Sequence, residues 1–319
     1  MTAFLILLAL FGAASGYATI NAERNAPPVG EFVSVEGEKL HLLERGGDHK
    51  GVRPSIVLIH GASVNLRDMD IALGERLAQR YHVLMIDRPG RGYSSRPAKG
   101  WALDSQARLI KAAIDARGLN DPIIVGQSLG GAVALSYALQ YQDEMRGLVL
   151  LAAVSHEWPG GVAWYNSASA TPVVGFLLRR LVIPIYGQFI GPESVASSFA
   201  PDEAPANYFS RAGVPLLFRP KEFRNNAADI VNLKDEIIRQ QDRYGVLNLP
   251  VAIVTGLQDT TVSPDIHSRA LARDVDGASL TLLEDTGHAL HHAEPARIIA
   301  IIDALADDAA APSAQASGE

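Results

Sequence analysis

The chain has no cysteine among its 319 residues. That rules out disulfides, a thiolate nucleophile and a Cys-ligated metal, and it leaves the redox compartment unmarked. A basic excess is missing as well: 28 Lys and Arg stand against 35 Asp and Glu, a formal net charge of −7. Without a basic face for a phosphate backbone, a nucleic-acid partner is excluded. No Lys or Arg precedes the apolar run at residues 3–14. The charged flank of a cleaved signal peptide and the positive-inside cue are therefore both lacking.

What is present begins with that run. Extended over residues 1–20, it reaches about the length that spans a bilayer as a helix. It is read as a membrane anchor, which predicts a protein held by a single N-terminal helix, in a bacterial inner membrane. The small residues Ala13, Ala14, Ser15 and Gly16 suit signal-peptidase cleavage, so export is the alternative. Glu23-Arg24-Asn25-Ala26-Pro27-Pro28 places a linker at 21–30.

Beyond the linker, runs at 32–35 and 39–43 flank Glu36-Gly37 and read as a hairpin. Short β-branched or Leu-rich runs follow at 55–60, 83–87, 123–128, 148–153, 251–255 and 280–283, the pattern of parallel strands buried on both faces. Helical patterns at 66–80, 103–117, 129–142, 264–275 and 294–306 separate most of them. Alternation of this kind predicts an α/β fold with a mostly parallel, doubly wound sheet. Residues 155–248 are too long for one βα connection and read as an inserted helical lid, dividing a core at 31–154 and 249–306. The lid holds much of the aromatic content, and part of it is expected to line an apolar pocket. Residues 307–319 lack periodicity and read as a disordered tail.

Chemistry is concentrated where strands end. Gly126-Gln127-Ser128-Leu129-Gly130-Gly131 joins a strand to a helix, the spacing of a nucleophile elbow, in which small neighbours permit a strained serine. Serine needs a base, and His288 follows the 280–283 run on a strand-exit loop. His291 and His292 fall inside the next helix, where surface or supporting roles are expected. A carboxylate must orient the imidazole, and Asp259 leaves the 251–255 strand. Asp265, Asp285 and Asp87 fit that position less well. The backbone N–H groups of Ala62, after His60-Gly61, and of Leu129 are the expected oxyanion donors. His60 is expected to bind backbone, and Arg88 or Arg91 to be available for an acidic substrate.

In that order, His60-Gly61, Asp87-x-Pro89-Gly90-x-Gly92-x-Ser94, Gly-Gln-Ser-Leu-Gly-Gly, Gly256-x-x-Asp259 and Gly287-His288 resemble the α/β-hydrolase superfamily, in its lidded, esterase- and lipase-like branch. The resemblance covers roughly residues 32–305. It implies a serine hydrolase cleaving a carboxylic ester with an apolar part, lipid-like or small, and no cofactor, metal or required protein partner. Epoxide hydrolases and haloalkane dehalogenases of that superfamily use Asp as nucleophile and a His-Gly-x-Pro loop; here positions 128 and 63 are both Ser, which disfavours them. Hydrolysis of a carbon–carbon bond in a diketone-like substrate shares the serine triad and remains open, as do a cofactor-free haloperoxidase and a non-catalytic binder of hydrophobic ligands on the same fold.

Overall fold

The structure, a computed structural model, describes residues 2–308. An eight-stranded sheet in the order β1-β2-β4-β3-β5-β6-β7-β8 forms its centre. The hairpin β1 (Glu31–Val35) and β2 (Glu38–Arg45) is antiparallel at one edge. β3 (Ile56–Ile59), β4 (Val83–Ile86), β5 (Ile123–Gln127), β6 (Gly147–Leu151), β7 (Val251–Gly256) and β8 (Ser279–Leu283) run parallel. β3 to β7 are buried at every position, which is why they read as unbroken apolar runs rather than as alternation. Two large apolar clusters cover the two faces of the sheet.

Helices cover both faces. α1 (Thr2–Asn25), α2 (Leu66–Met69), α3 (Glu75–Leu77), α4 (Leu103–Ala116) and α5 (Leu129–Tyr141) precede β6. The β6–β7 connection carries α6 (Trp164–Ala170), α7 (Val173–Leu177), α8 (Ile183–Phe199), α9 (Tyr208–Arg211) and α10 (Pro220–Gln240). α11 (Ser268–Asp274), α12 (Leu290–Ala293) and α13 (Pro295–Asp308) complete the chain.

Four segments differ from the sequence expectation. The linker predicted at 21–30 is helical as far as Asn25, because Ala22 and Ala26 dock α1 against Leu216 and order its last turn. The helix predicted at 66–80 is broken by a π-turn over Asp70–Gly74, where Asp70 turns aside to accept two hydrogen bonds from Arg45. The helix expected from Pro264 begins only at Ser268. Asp307 and Asp308, assigned to a disordered tail, end α13; the remainder of that tail lies outside the described residues.

A second apolar stretch joins the predicted N-terminal one. Among the described residues, Val173–Phe199 is long and apolar enough to cross a membrane. It is internal, and Arg179, Arg180, Pro184 and Pro192 punctuate it, which hides its length from a scan for uninterrupted runs.

α10 is bound to the core rather than draped over it. Glu222, Asn225, Asn226 and Asp229 are all buried, at the i, i+3, i+4, i+7 spacing of one helical face. Further along that face, Glu236 Oε2 accepts the Leu103 N–H at 2.9 Å and so caps α4, whose own N-cap residue has no side-chain acceptor.

Candidate active site

β5 delivers Ser128 at φ 54°, ψ −120°, a left-handed backbone conformation that costs a non-glycine residue about 1–3 kcal/mol and persists only where its surroundings dictate it. Here they do. A Cβ on Gly126 would lie 2.5 Å from the Gly130 carbonyl oxygen, and one on Gly130 would lie 2.4 Å from that of His60. α5 starts at the next residue, so its free N–H groups and positive dipole end surround the serine. Among the described residues, neither the Leu129 N–H nor the Ala62 N–H has an acceptor.

The loop carrying Ala62 is held from two sides. Arg88, fully buried, donates through Nε to the His60 carbonyl at 2.9 Å and through Nη2 to the Gly61 carbonyl at 3.0 Å. Ser63, at φ 61°, donates its N–H to Asn226 Oδ1 at 2.8 Å, and Asn226 Nδ2 donates to Ser63 Oγ at 3.1 Å. Arg88 also donates to Gln106 Oε1 at 2.7 Å and contacts Asp229 at 3.3 Å. The expectation that Arg88 or Arg91 meets an acidic substrate is therefore corrected. Both are wholly buried, Arg91 against Glu222 at 3.6 Å, and neither reaches solvent. Burial pushes the Arg88 guanidinium down to about 10, still charged at neutral pH.

His60 is occupied by backbone. Its Nδ1 pairs with the Gly61 carbonyl at 2.8 Å and its Nε2 accepts the Arg88 N–H at 3.1 Å. Burial, reinforced by the Arg88 charge, pushes its pKa down to about 3. His267, whose Nδ1 accepts the backbone N–H groups of Ser155 and His156, is pushed by burial to about 4. Both stay neutral in the folded protein at pH values where the unfolded chain protonates them, near 6.5. Between those limits the unfolded state binds more protons, so acid favours unfolding. Stability is expected to fall below about pH 6.5 by roughly 1.4 kcal/mol per pH unit for each histidine, down to their folded values. Urea midpoints at about pH 7.5 and about pH 5 check this, and equal midpoints would refute it.

Asp259 and His288 meet. His288 Nδ1 lies 2.7 Å from Asp259 Oδ2, while Asp259 Oδ1 accepts the N–H groups of Thr261 and Val262 at 2.8 Å each. His288 Nε2 faces the Gln127 side-chain amide at 3.3 Å. Among the described residues no hydrogen bond joins Ser128 to His288. An amide NH₂ only donates, so this arrangement leaves Nε2 unprotonated and the ring proton on Nδ1, facing Asp259. The loop bearing His288 abuts the β6–β7 connection: a Cβ on Gly287 would lie 2.1 Å from the Ala200 carbonyl oxygen. Of the competing carboxylates, Asp265 and Asp285 are exposed, and Asp87 accepts hydrogen bonds from His41, Leu66 and Tyr93.

Ser128, Asp259, His288 and the Gly61 loop all follow the carboxyl ends of parallel strands, where open α/β sheets bind ligands. Residues 54–295 match the family model described as the alpha/beta hydrolase fold. The chain belongs to this family. A 2-hydroxymuconate semialdehyde hydrolase of Pseudomonas putida is 28% identical over 86% of this chain and 94% of its own. A monoacylglycerol lipase of Homo sapiens is 24% identical over 80% of this chain and 76% of its own. Among solved structures, a membrane phospholipase A superposes with a TM-score of 0.65 at 19% identity, covering 98% of this chain and all of that one.

In this alpha/beta hydrolase one buried carboxylate ties three elements together. Asp68, on α2, pairs with His291 Nε2 at 2.9 Å and His292 Nε2 at 2.8 Å from α12, and accepts the Tyr208 hydroxyl at 2.5 Å from α9. Both histidines are nearly buried, which corrects any surface role, and they fix the turn that follows His288. The two imidazoles hold Asp68 well below the usual carboxylate range against its burial. These three side chains place their ligand atoms within 4.8 Å of one another; a cation there would have to replace the hydrogen bonds just described. Sequence reasoning misses Gln127, Asn226, Asp229 and Asp68. The available signal is the polar helical stripe 222, 225, 226, 229.

Proposed function

We propose that the protein is a serine hydrolase that cleaves a carboxylic ester with an apolar acyl or alcohol part. The observation that carries this reading is Ser128 on a strained elbow beside two unpaired N–H groups. In this scheme Ser128 Oγ attacks the carbonyl as His288 Nε2 takes its proton, and Asp259 stabilises the imidazolium through Nδ1. The N–H groups of Ala62 and Leu129 hold the oxyanion. His288 then protonates the leaving alcohol and activates the water that releases the acid. The Gln127 amide, which occupies His288 Nε2 in the resting arrangement, gives way to the serine when substrate binds. Helix α1 anchors the enzyme to a membrane.

The lipase and phospholipase similarities are consistent with an ester substrate. The 28% identity to a semialdehyde hydrolase favours a second reading, hydrolysis of a carbon–carbon bond by the same serine, histidine and aspartate. A chain-length series of p-nitrophenyl esters, run beside labelling with a fluorophosphonate probe, separates the two. Turnover together with labelling supports the ester reading. Labelling without turnover of any ester favours carbon–carbon cleavage, and absence of both leaves a binding role.

A further inference from the structure

Large apolar side chains that face water are unevenly distributed. Of twenty exposed ones among the described residues, five lie on α1 and ten lie between positions 164 and 190. They include Phe11 and Tyr17 on α1, and Trp164, Phe176, Tyr186 and Phe189 on α6 to α8. α1 packs directly on α8 and on residues 178–182, so the two groups lie on adjoining helices. Residues 158–192 contain no Asp or Glu, and residues 2–22 contain no charge at all. The exposed Arg180 sits over the Phe176 ring, 5.4 Å from its centroid. Arg, Trp and Tyr on an apolar face, in a protein of net charge −7, suit an interface with anionic lipid.

Among its described residues, α1 is buried against the protein through Ser15 and Ala22, with Ala26 just beyond it, and every described side chain over residues 2–14 is exposed. The stretch 2–14 is about 20 Å long at 1.5 Å per residue, against a hydrocarbon core of about 30 Å. An α1 that crosses a bilayer must therefore draw in the following turns, where Ser15 and Ala22 are buried against the protein, and with them the rest of a helix that packs on α8 and residues 178–182. Val173–Phe199 does not itself cross, because its far end is fixed in the protein: Phe199 is buried and clusters with Tyr208 and with Ala289, the residue after His288.

We propose that α1 and the 164–190 face form one lipid-binding surface, so that the bilayer lies against the inserted helices and an ester dissolved in it reaches Ser128 along α8. The entry route rests on the ester reading; the docking does not. The absence of cysteine makes the test direct. Phe176→Cys, Phe189→Cys, Phe11→Cys and Val52→Cys, the last an exposed site remote from this face, are each labelled with the fluorophore NBD in the full chain and placed in phosphatidylcholine–phosphatidylglycerol vesicles. The expected result is a blue shift and loss of fluorescence with doxyl-labelled lipid for the first three, and quenching by aqueous iodide for Val52→Cys alone. Iodide quenching of Phe176→Cys and Phe189→Cys, with Phe11→Cys still lipid-quenched, would leave α1 as the sole anchor and overturn the proposal. So would a shift at Phe189→Cys that follows protein concentration and ignores the lipid quencher, because a second copy would then cover the face. Fluorophosphonate labelling of the same samples reports on the ester reading independently.

Discussion

Ser128→Ala is expected to abolish ester turnover, lowering kcat by about 10⁶ and leaving the slower hydrolysis that the oxyanion donors and binding alone support. The size of the loss follows from the role proposed. Without the hydroxyl there is no acyl-enzyme, and His288 has no proton to take. KM should change little, because Ser128 is small and only 8% exposed, so the substituted side chain leaves the binding surface almost intact. Single-turnover kinetics on a p-nitrophenyl ester reads this outcome, with loss of fluorophosphonate labelling as its companion. A reduction of only tenfold would place the nucleophile elsewhere.

Asp229→Ala is expected to destabilise the fold by about 3–5 kcal/mol, the cost of leaving a buried ion pair's partner uncompensated. Asp229 is itself buried and faces two cations, Arg88 at 3.3 Å and Arg96 at 2.5 Å. Removing the carboxylate strands the Arg88 guanidinium, which has no route to water. Arg88 also holds the carbonyls of His60 and Gly61, so activity in the surviving folded fraction should fall with stability. Urea unfolding measures the first effect, and kcat per fluorophosphonate-reactive site measures the second. A double variant, Asp229→Ala with Arg88→Met, should recover part of the stability without recovering activity, because the stranded charge has gone while the loop has lost its support. A loss below about 1 kcal/mol for Asp229→Ala would mean that water reaches the arginine.

The sheet and the elbow are legible in the sequence for one physical reason: a parallel strand buried on both faces has to be apolar throughout, and a serine held at φ 54° has to have glycine neighbours. Asp259 and His288 are legible because strand ends are easy to locate. The supports of the His60-Gly61-Ala62 loop are not. Polar residues at helical spacing ordinarily mark a solvated face, and nothing in the composition of α10 says that Glu222, Asn225, Asn226 and Asp229 turn inward. They do so because the 87–94 loop presents buried arginines that need partners, a requirement that exists only once two segments more than a hundred residues apart are in contact. The same holds for Asp68, which reads as a surface acid on a short helix until the two histidines that follow His288 converge on it.

The grip of α10 on that loop bears on how such a protein can be recombined. In sequence, residues 155–248 look like a cassette that could be exchanged whole with that of a relative to change substrate preference. Asn226 and Asp229 travel with that cassette, yet they set the position of Ala62, which stays behind. A chimera cut at both borders of the β6–β7 connection would inherit new helices and lose its hold on the His60-Gly61-Ala62 loop. The functional seam runs near Arg219, ahead of α10, and exchange of the 155–219 portion alone leaves the loop's supports with the loop.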